Sequence, residues 1–252
     1  MTAARLAFIH GGVHTGACWA DTVGAITSLR PGVQAVAVDL PGRRSVPGDL
    51  ATLTIEECVD SVSGQIAGSG PLVLVGHSLA GVILAGVVER LGADTVRHII
   101  FVTCCVPPNG ECVVDTLSLG FRQVVRRIVS RSAVIQAPPW LVRYAFANRA
   151  TPEQRAEITR NIVPESAAIV TQPSLAHFPD SVRKSWILTQ RDRALRPANQ
   201  RSFIRNLGGV DDLASIDAGH EVMVTHPAEL ARAIVQLAFS APPNSYRAPA
   251  AM

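Results

Sequence analysis

One stretch limits what this chain can become: Pro71-Leu-Val-Leu-Val-Gly-His-Ser-Leu-Ala-Gly81. Leu72 to Val75 are four apolar residues in a row, the mark of a strand buried on both faces. Gly76-His77-Ser78-Leu79-Ala80 follows, and then an apolar, helix-permissive run reaches Leu91. The order is strand, tight turn, helix, with a serine on the turn. It matches G-x-S-x-G with Ala80 in the place of the last glycine and Gly81 directly after it. A serine on such a sharp turn needs small residues two positions before and after it, because strand and helix backbones approach closely there. The turn lifts the Ser78 hydroxyl above the sheet edge. It also leaves the N–H of Leu79, at the start of a helix, free to receive an oxyanion. A helix N-cap serine after a buried strand gives the same local pattern. A nucleophile further requires a base, an orienting acid and a second oxyanion donor.

Other segments offer those parts. Leu6 to Ile9 form a short buried strand leading into His10-Gly11-Gly12-Val13-His14. Glycines let this loop fold against a reacting centre, and the N–H of Gly12 is the expected second oxyanion donor. His10 and His14 precede the serine and are expected to structure the loop or line a pocket. Val33 to Val38 form the next buried strand, ending in a Pro-Gly turn where Asp39 bonds loop amides. Thr54 and Glu57 form a capping box, and the helix behind them runs to about Ala67. Gly92 closes the helix after the serine. His98 to Val102 form the fourth strand. Ser185 to Thr189 form another, with Asp192 three residues beyond its end, and Asp212 to Ile216 the last, with His220 in a Gly-containing loop after it. Asp192 is the orienting acid and His220 the base, while Asp217 braces the loop. A final helix spans about Pro227 to Phe239, and the tail from Ala241 is expected to be mobile.

Six apolar strands alternating with helices read as a mainly parallel sheet covered on both faces, a three-layer α/β fold. That rhythm breaks between Pro107 and about Asp180, where prolines punctuate helical patches without a clear buried strand. This stretch reads as a helical cap, residues 107–180, inserted into a core made of 1–106 and 181–252. Trp140, Leu141, Tyr144 and Phe146 are its candidate pocket walls, although they can equally pack the cap on the core.

Composition narrows the function. The chain has 252 residues, 48% hydrophobic and 17% charged, so it is globular. Its net charge is +3, without a basic block. Arg122, Arg126, Arg127 and Arg131 have the spacing of one solvated helix face, not of a nucleic-acid stripe. No apolar run reaches the ~20 residues of a membrane span. There is no signal peptide pattern. The five cysteines lack metal-ligand or redox spacing, and Cys104 and Cys105 end an apolar strand as buried thiols. A cytoplasmic protein is expected, with a small-molecule ester as its partner, no nucleic acid or membrane, and a homodimer left open.

The order Ser78, Asp192, His220, each following a strand, is the chain order of α/β-hydrolases. The sequence resembles that superfamily over nearly its whole length. More narrowly, it resembles the small six-stranded members that include plant methyl esterases and hydroxynitrile lyases, in Phe8–Trp19, Gly76–Gly81, Asp192–Pro197 and Ala218–His220. The resemblance implies Ser78, Asp192 and His220 as catalytic residues and Gly12 and Leu79 as the oxyanion hole, while Gly11, His77, Trp140 and Tyr144 are the residues expected at the substrate. It requires no metal or organic cofactor. Lyases of this type carry threonine at position 11 and lysine at position 221. Here Gly11 and Glu221 stand instead, which points to ester hydrolysis of a mostly apolar molecule. Lactone, thioester or carbon–carbon bond hydrolysis would use the same triad, and a ligand-binding protein on the same scaffold is the alternative of another class.

Overall fold

In the computed structural model, which describes residues 5–117 and 119–240 and leaves the side chain of Phe121 aside, six parallel strands form the central sheet. They are β1 (Arg5–Ile9), β2 (Ala35–Val38), β3 (Leu72–His77), β4 (Val96–Val102), β7 (Arg183–Thr189) and β8 (Asp212–Ile216). Their order across the sheet is β2-β1-β3-β4-β7-β8. The three-layer reading therefore holds, and the sheet is parallel throughout. The tail from Ala241 lies outside the described residues.

Alternation along each strand divides the core in two. Ala7, Ile9, Leu72, Leu74, Ile99, Phe101, Trp186 and Leu188 face one side. There they meet helices α2 (Ile55–Ile66), α3 (Leu84–Leu91) and α6 (Pro197–Asn206). Leu6, Phe8, Val73, Val75, Ile100, Val102 and Ile187 face the other, under α1 (Ala20–Leu29) and α7 (Pro227–Phe239). Strands buried on both faces cannot afford polar positions in either register, which is why they read as unbroken apolar runs. β2 departs from that reading. It begins at Ala35, two residues later than expected, and lies at the sheet edge with Val36 exposed.

The helices start and stop as their ends dictate. Thr54 accepts a hydrogen bond from the N–H of Glu57, whose carboxylate accepts one from the N–H of Thr54, so the capping box is complete. Gly92 ends α3 with φ of 82°.

The chain leaves the sheet after β4 and rejoins it at β7. The intervening residues hold α4 (Leu119–Val129), α5 (Pro152–Asn161) and shorter helical turns. They also hold an antiparallel pair of two-residue strands, β5 (Val134–Ile135) and β6 (Glu165–Ser166), which the sequence did not announce. Val142, Ala147, Ala150 and Ile158 form a small core here, against which Val224 of the main body packs. Arg122 and Arg126 are not simply solvated. Both bond Asp115, Arg122 at its carbonyl and Arg126 at its carboxylate.

Phe101 ties the layers together. Its ring stacks on Trp186 of the neighbouring strand, with centroids 5.5 Å apart, and meets Phe178 edge-on at 5.7 Å. Phe101→Ala should therefore cost about 3–5 kcal/mol, read as a lower urea midpoint at unchanged m.

Candidate active site

β1 and β3 are neighbours, with Ile9 opposite Gly76, yet the chain leaves them in opposite directions across the sheet. This is the topological switch point, where the ends of parallel strands open a crevice. The loop after β1 and the turn after β3 meet there.

Ser78 sits on that turn with φ of 52°, in the left-handed region that side chains avoid. The turn closes only because its neighbours are small. A Cβ on Gly76 would lie 3.3 Å from the Cβ of Ala80, so alanine is tolerated at Ala80 because position 76 is bare. A Cβ on Gly81 would lie 2.2 Å from the carbonyl oxygen of Cys105, whose N–H in turn donates to the Ser78 carbonyl at 2.8 Å.

The Ser78 hydroxyl donates to Nε2 of His220 at 3.0 Å, and Nδ1–H of His220 donates to Oδ2 of Asp192 at 2.8 Å. His220 and Asp192 are buried, while Ser78 is half-buried. Asp192 holds its place through four further hydrogen bonds. Thr103 and Thr189 donate their hydroxyls to Oδ2 at 2.7 and 3.0 Å, and the N–H groups of Ala194 and Leu195 donate to Oδ1 at 2.8 and 2.7 Å. Burial works against the Asp192 carboxylate, but the His220 charge and these donors keep its pKa below the ordinary carboxyl value. Burial likewise works against the His220 cation, yet Asp192 beside it raises the imidazole pKa above 6.5. The roles of Thr103 and Thr189 were not anticipated. Thr189 carried a faint signal as the last residue of its strand, and Thr103 carried none.

The peptide expected to supply the second oxyanion donor is also fixed. His10 donates from Nδ1 to the Gly11 carbonyl at 2.7 Å and accepts the Leu40 N–H at Nε2, 3.1 Å away. Burial lowers its pKa to about 3, so this neutral tautomer persists. The Gly11 carbonyl and the Gly12 N–H belong to one peptide unit, so His10 sets the direction of both. No acceptor takes the Gly12 N–H among the described residues. Leu79 is the second residue of a 3₁₀ turn, so its N–H has no partner within that turn. The two residues are in contact, since a Cβ on Gly12 would collide with the Leu79 side chain.

One substrate-side expectation, His77, needs correction. His77 has no exposed surface: it donates from Nε2 to the His220 carbonyl at 3.1 Å and packs its ring 4.7 Å from that of His220. Burial lowers its pKa to about 3, so it is a neutral prop beneath the histidine. Trp140 and Tyr144 are 68% and 55% exposed, and Arg193 covers one face of the Tyr144 ring. The aromatic ring at the site is Phe146, stacked on His220 at 5.4 Å. Gly11 is buried and lies against Ser78 itself, with 2.8 Å between a would-be Cβ and the serine Cβ. A threonine would not fit there without moving the serine.

Glu221 is buried too, with Oε2 2.9 Å from Nε2 of His14, close enough for an ion pair though not aligned as a directed hydrogen bond. Burial disfavours its charge, but His14 facing it brings the pKa down to about 2. Its carboxylate thus faces His14 and is not free to face a leaving group. His77, His220 and Glu221 bring potential ligand atoms within 4.8 Å of one another. Both His220 nitrogens and Nε2 of His77 already have partners, so the group does not fit a resident cation.

The sequence profile described as the Alpha/beta hydrolase family matches residues 6–233. The chain belongs to that family. This α/β-hydrolase is 26% identical over 258 residues to a probable esterase, PIR7A, of rice (Oryza sativa subsp. indica), covering 92% of this chain and 95% of the relative. It is 25% identical over 244 residues to a carbendazim hydrolyzing esterase of Nocardioides sp. (strain SG-4G), covering 93% and 99%. An extracellular alpha/beta-hydrolase from a Paenibacillus species, described as sharing structural and functional homology with tobacco salicylic acid binding protein 2, has the same fold. It superposes with a TM-score of 0.79 at 21% identity, covering 93% of this chain and 98% of that one. No helix among the described residues is long and apolar enough to cross a membrane.

The contact between Gly11 and Ser78 can be tested directly. Gly11→Ala must displace the serine, and a shift near 1 Å at a reacting atom costs on the order of a hundredfold. Labelling of the α/β-hydrolase by a fluorophosphonate probe should slow by about that factor, with a circular dichroism spectrum like the wild type's.

Proposed function

We propose that the protein is a carboxylic ester hydrolase that works through an acyl-enzyme on Ser78. The observation that carries this reading is the continuous line Ser78 Oγ, His220 Nε2, His220 Nδ1, Asp192 Oδ2, with steps of 3.0 and 2.8 Å. The esterase relatives named above support it.

In this reading His220 Nε2 takes the Ser78 proton as Oγ attacks the ester carbonyl carbon. The carbonyl oxygen becomes an oxyanion held by the N–H groups of Gly12 and Leu79. As the tetrahedral intermediate collapses, the bond to the leaving oxygen breaks and His220 passes its proton to that oxygen, releasing the alcohol. Water then repeats the cycle: His220 takes a proton from it, its oxygen attacks the acyl carbon, and Ser78 leaves protonated with the free acid as product. Asp192, kept ionised by five donors, holds His220 in the tautomer with Nε2 free and stabilises the imidazolium.

Residues 107–180 act as a cap over this site. Phe146 on His220 makes the wall beside the histidine flat and apolar, which suits an uncharged, mostly apolar ester. Hydroxynitrile cleavage is disfavoured: Gly11 has no room for a hydroxyl-bearing side chain without moving Ser78, and Glu221 stands where lyases of this type carry lysine.

Ser78→Ala and His220→Ala should each abolish turnover of p-nitrophenyl esters from acetate to octanoate, and an unchanged rate in either purified variant would remove the assignment. The base must be unprotonated to act, and its pKa is raised above 6.5. The kcat/KM profile should therefore fall on the acid side with a midpoint above 6.5. Asp192→Asn removes the partner that raises it, so any residual activity should show that midpoint at lower pH.

A further inference from the structure

The loop that carries the proposed oxyanion donor does not hold itself. Val13, next to Gly12, has φ of 59°, a conformation that a β-branched residue adopts only under compulsion. Three groups distant in sequence grip it. The Val13 N–H donates to Oε2 of Glu165 at 3.0 Å. The Val13 carbonyl accepts the N–H of Val163 at 2.9 Å, and the His14 carbonyl accepts Nε–H of Arg43 at 3.2 Å. Glu165 and Val163 belong to the inserted segment, whereas Arg43 follows β2.

Glu165 and Arg43 are themselves buried, 2% and 6% exposed, with Arg43 Nη2 donating to Glu165 Oε2 at 2.5 Å. A buried pair of this kind is weak evidence of stabilisation, because desolvation offsets the attraction. Its placement is more telling. Oε2 would lie 3.4 Å from a Cβ on Gly12, so the carboxylate stands beside the residue whose N–H meets the oxyanion. An unopposed negative charge there would repel that oxyanion, and Arg43 cancels it. The remaining oxygen of Glu165 accepts the N–H of Ser166 at 2.9 Å, which fixes the carboxylate plane. The Arg43 Nη1–H donates to the Pro41 carbonyl at 3.2 Å, which fixes the guanidinium.

We propose that Glu165, neutralised by Arg43, is a positioning residue for the oxyanion loop: it holds the Gly12–Val13 peptide so that the Gly12 N–H faces the reacting carbonyl. This rests on the ester hydrolase reading for its kinetic consequence, though not for its structural one. His10 fixes one side of the Gly12 N–H, through the Gly11 carbonyl, and Glu165 fixes the other, through the Val13 N–H. The catalytic loop of the core therefore owes its shape to a side chain from the inserted segment.

The test compares Glu165→Ala, Glu165→Gln and Arg43→Met with the wild type. For Glu165→Ala, kcat on p-nitrophenyl esters should fall about ten- to a hundredfold, short of the 10²–10³ for deleting a donor outright, while KM stays within about threefold. Affinity for a trifluoromethyl ketone, which places an oxyanion in the hole when Ser78 adds to it, should fall by the same factor as kcat/KM. Glu165→Gln keeps an oxygen for the Val13 N–H and should retain more activity than alanine. Arg43→Met leaves the carboxylate unopposed and should lose more than Glu165→Gln. Amide hydrogen exchange should quicken in the peptide covering residues 10–15 of Glu165→Ala.

A folded Glu165→Ala whose kcat and ketone affinity stay within twofold of the wild type overturns the proposal. So does a loss of activity that only tracks the folded fraction. Should Glu165→Ala not fold, Arg43→Met matching Glu165→Gln in kcat and ketone affinity overturns it equally. If the wild type itself turns over no ester and binds no ketone, the hydrolase reading has failed. The loop's exchange rate then decides alone: unchanged exchange overturns the positioning role and faster exchange upholds it.

Discussion

The structure depends on the left-handed turn at Ser78. A non-glycine residue at φ of 52° costs about 1–3 kcal/mol and persists only where its surroundings over-determine it. The surroundings do so through close approach. Every residue of β3 is buried, so the strand entering the turn cannot shift. Gly76 faces Ala80, Gly81 takes the Cys105 carbonyl against its bare Cα, and Gly11 lies against the serine from the loop after β1. Relaxing the turn would drive one of these backbones into another. The strain is thus held by packing that also sets the switch point.

What was legible in the sequence follows from how local each signal is. A strand buried on both faces must be a run of apolar residues, so β1, β3, β4, β7 and β8 were readable, and the edge position blurred β2. The spacing of Ser78, Asp192 and His220 from their strand ends was readable for the same reason, and the structure brings the three side chains within hydrogen-bond distance. The inserted segment was not readable in detail. Its turns and two-residue strands are ordered by partners far along the chain, as where Val163 meets Val13 and Asn148 donates to the Arg191 carbonyl. Trp140, Leu141, Tyr144 and Phe146 were readable only as a group of candidate pocket walls. Phe146 is the one that reaches the histidine, since the chain winds through a turn of π-helix between Val142 and Phe146 and turns its last residue inward.

Charge is handled in one way around the site. Asp192, Glu221 and Glu165 are all buried, and each meets a cationic or protonatable partner from a different part of the chain: His220, His14 and Arg43. A lone buried carboxylate would take up a proton and lose its use. Glu165 answers the β1 loop, Glu221 answers the far end of the same loop, and Asp192 answers the histidine. None of these pairs joins neighbours in sequence, so no local motif reports them.

This arrangement divides the inserted segment by function. Val163 and Glu165 hydrogen-bond the backbone of Val13, and Phe146 stacks on the His220 ring. The outward face of α4, with Leu119, Val124 and Ile128 exposed, touches neither. Exposed positions of that kind can change without moving Gly12 or His220, whereas the few inward contacts cannot. In the proposed reading, substrate recognition and the positioning of the loop after β1 fall to different residues of one segment.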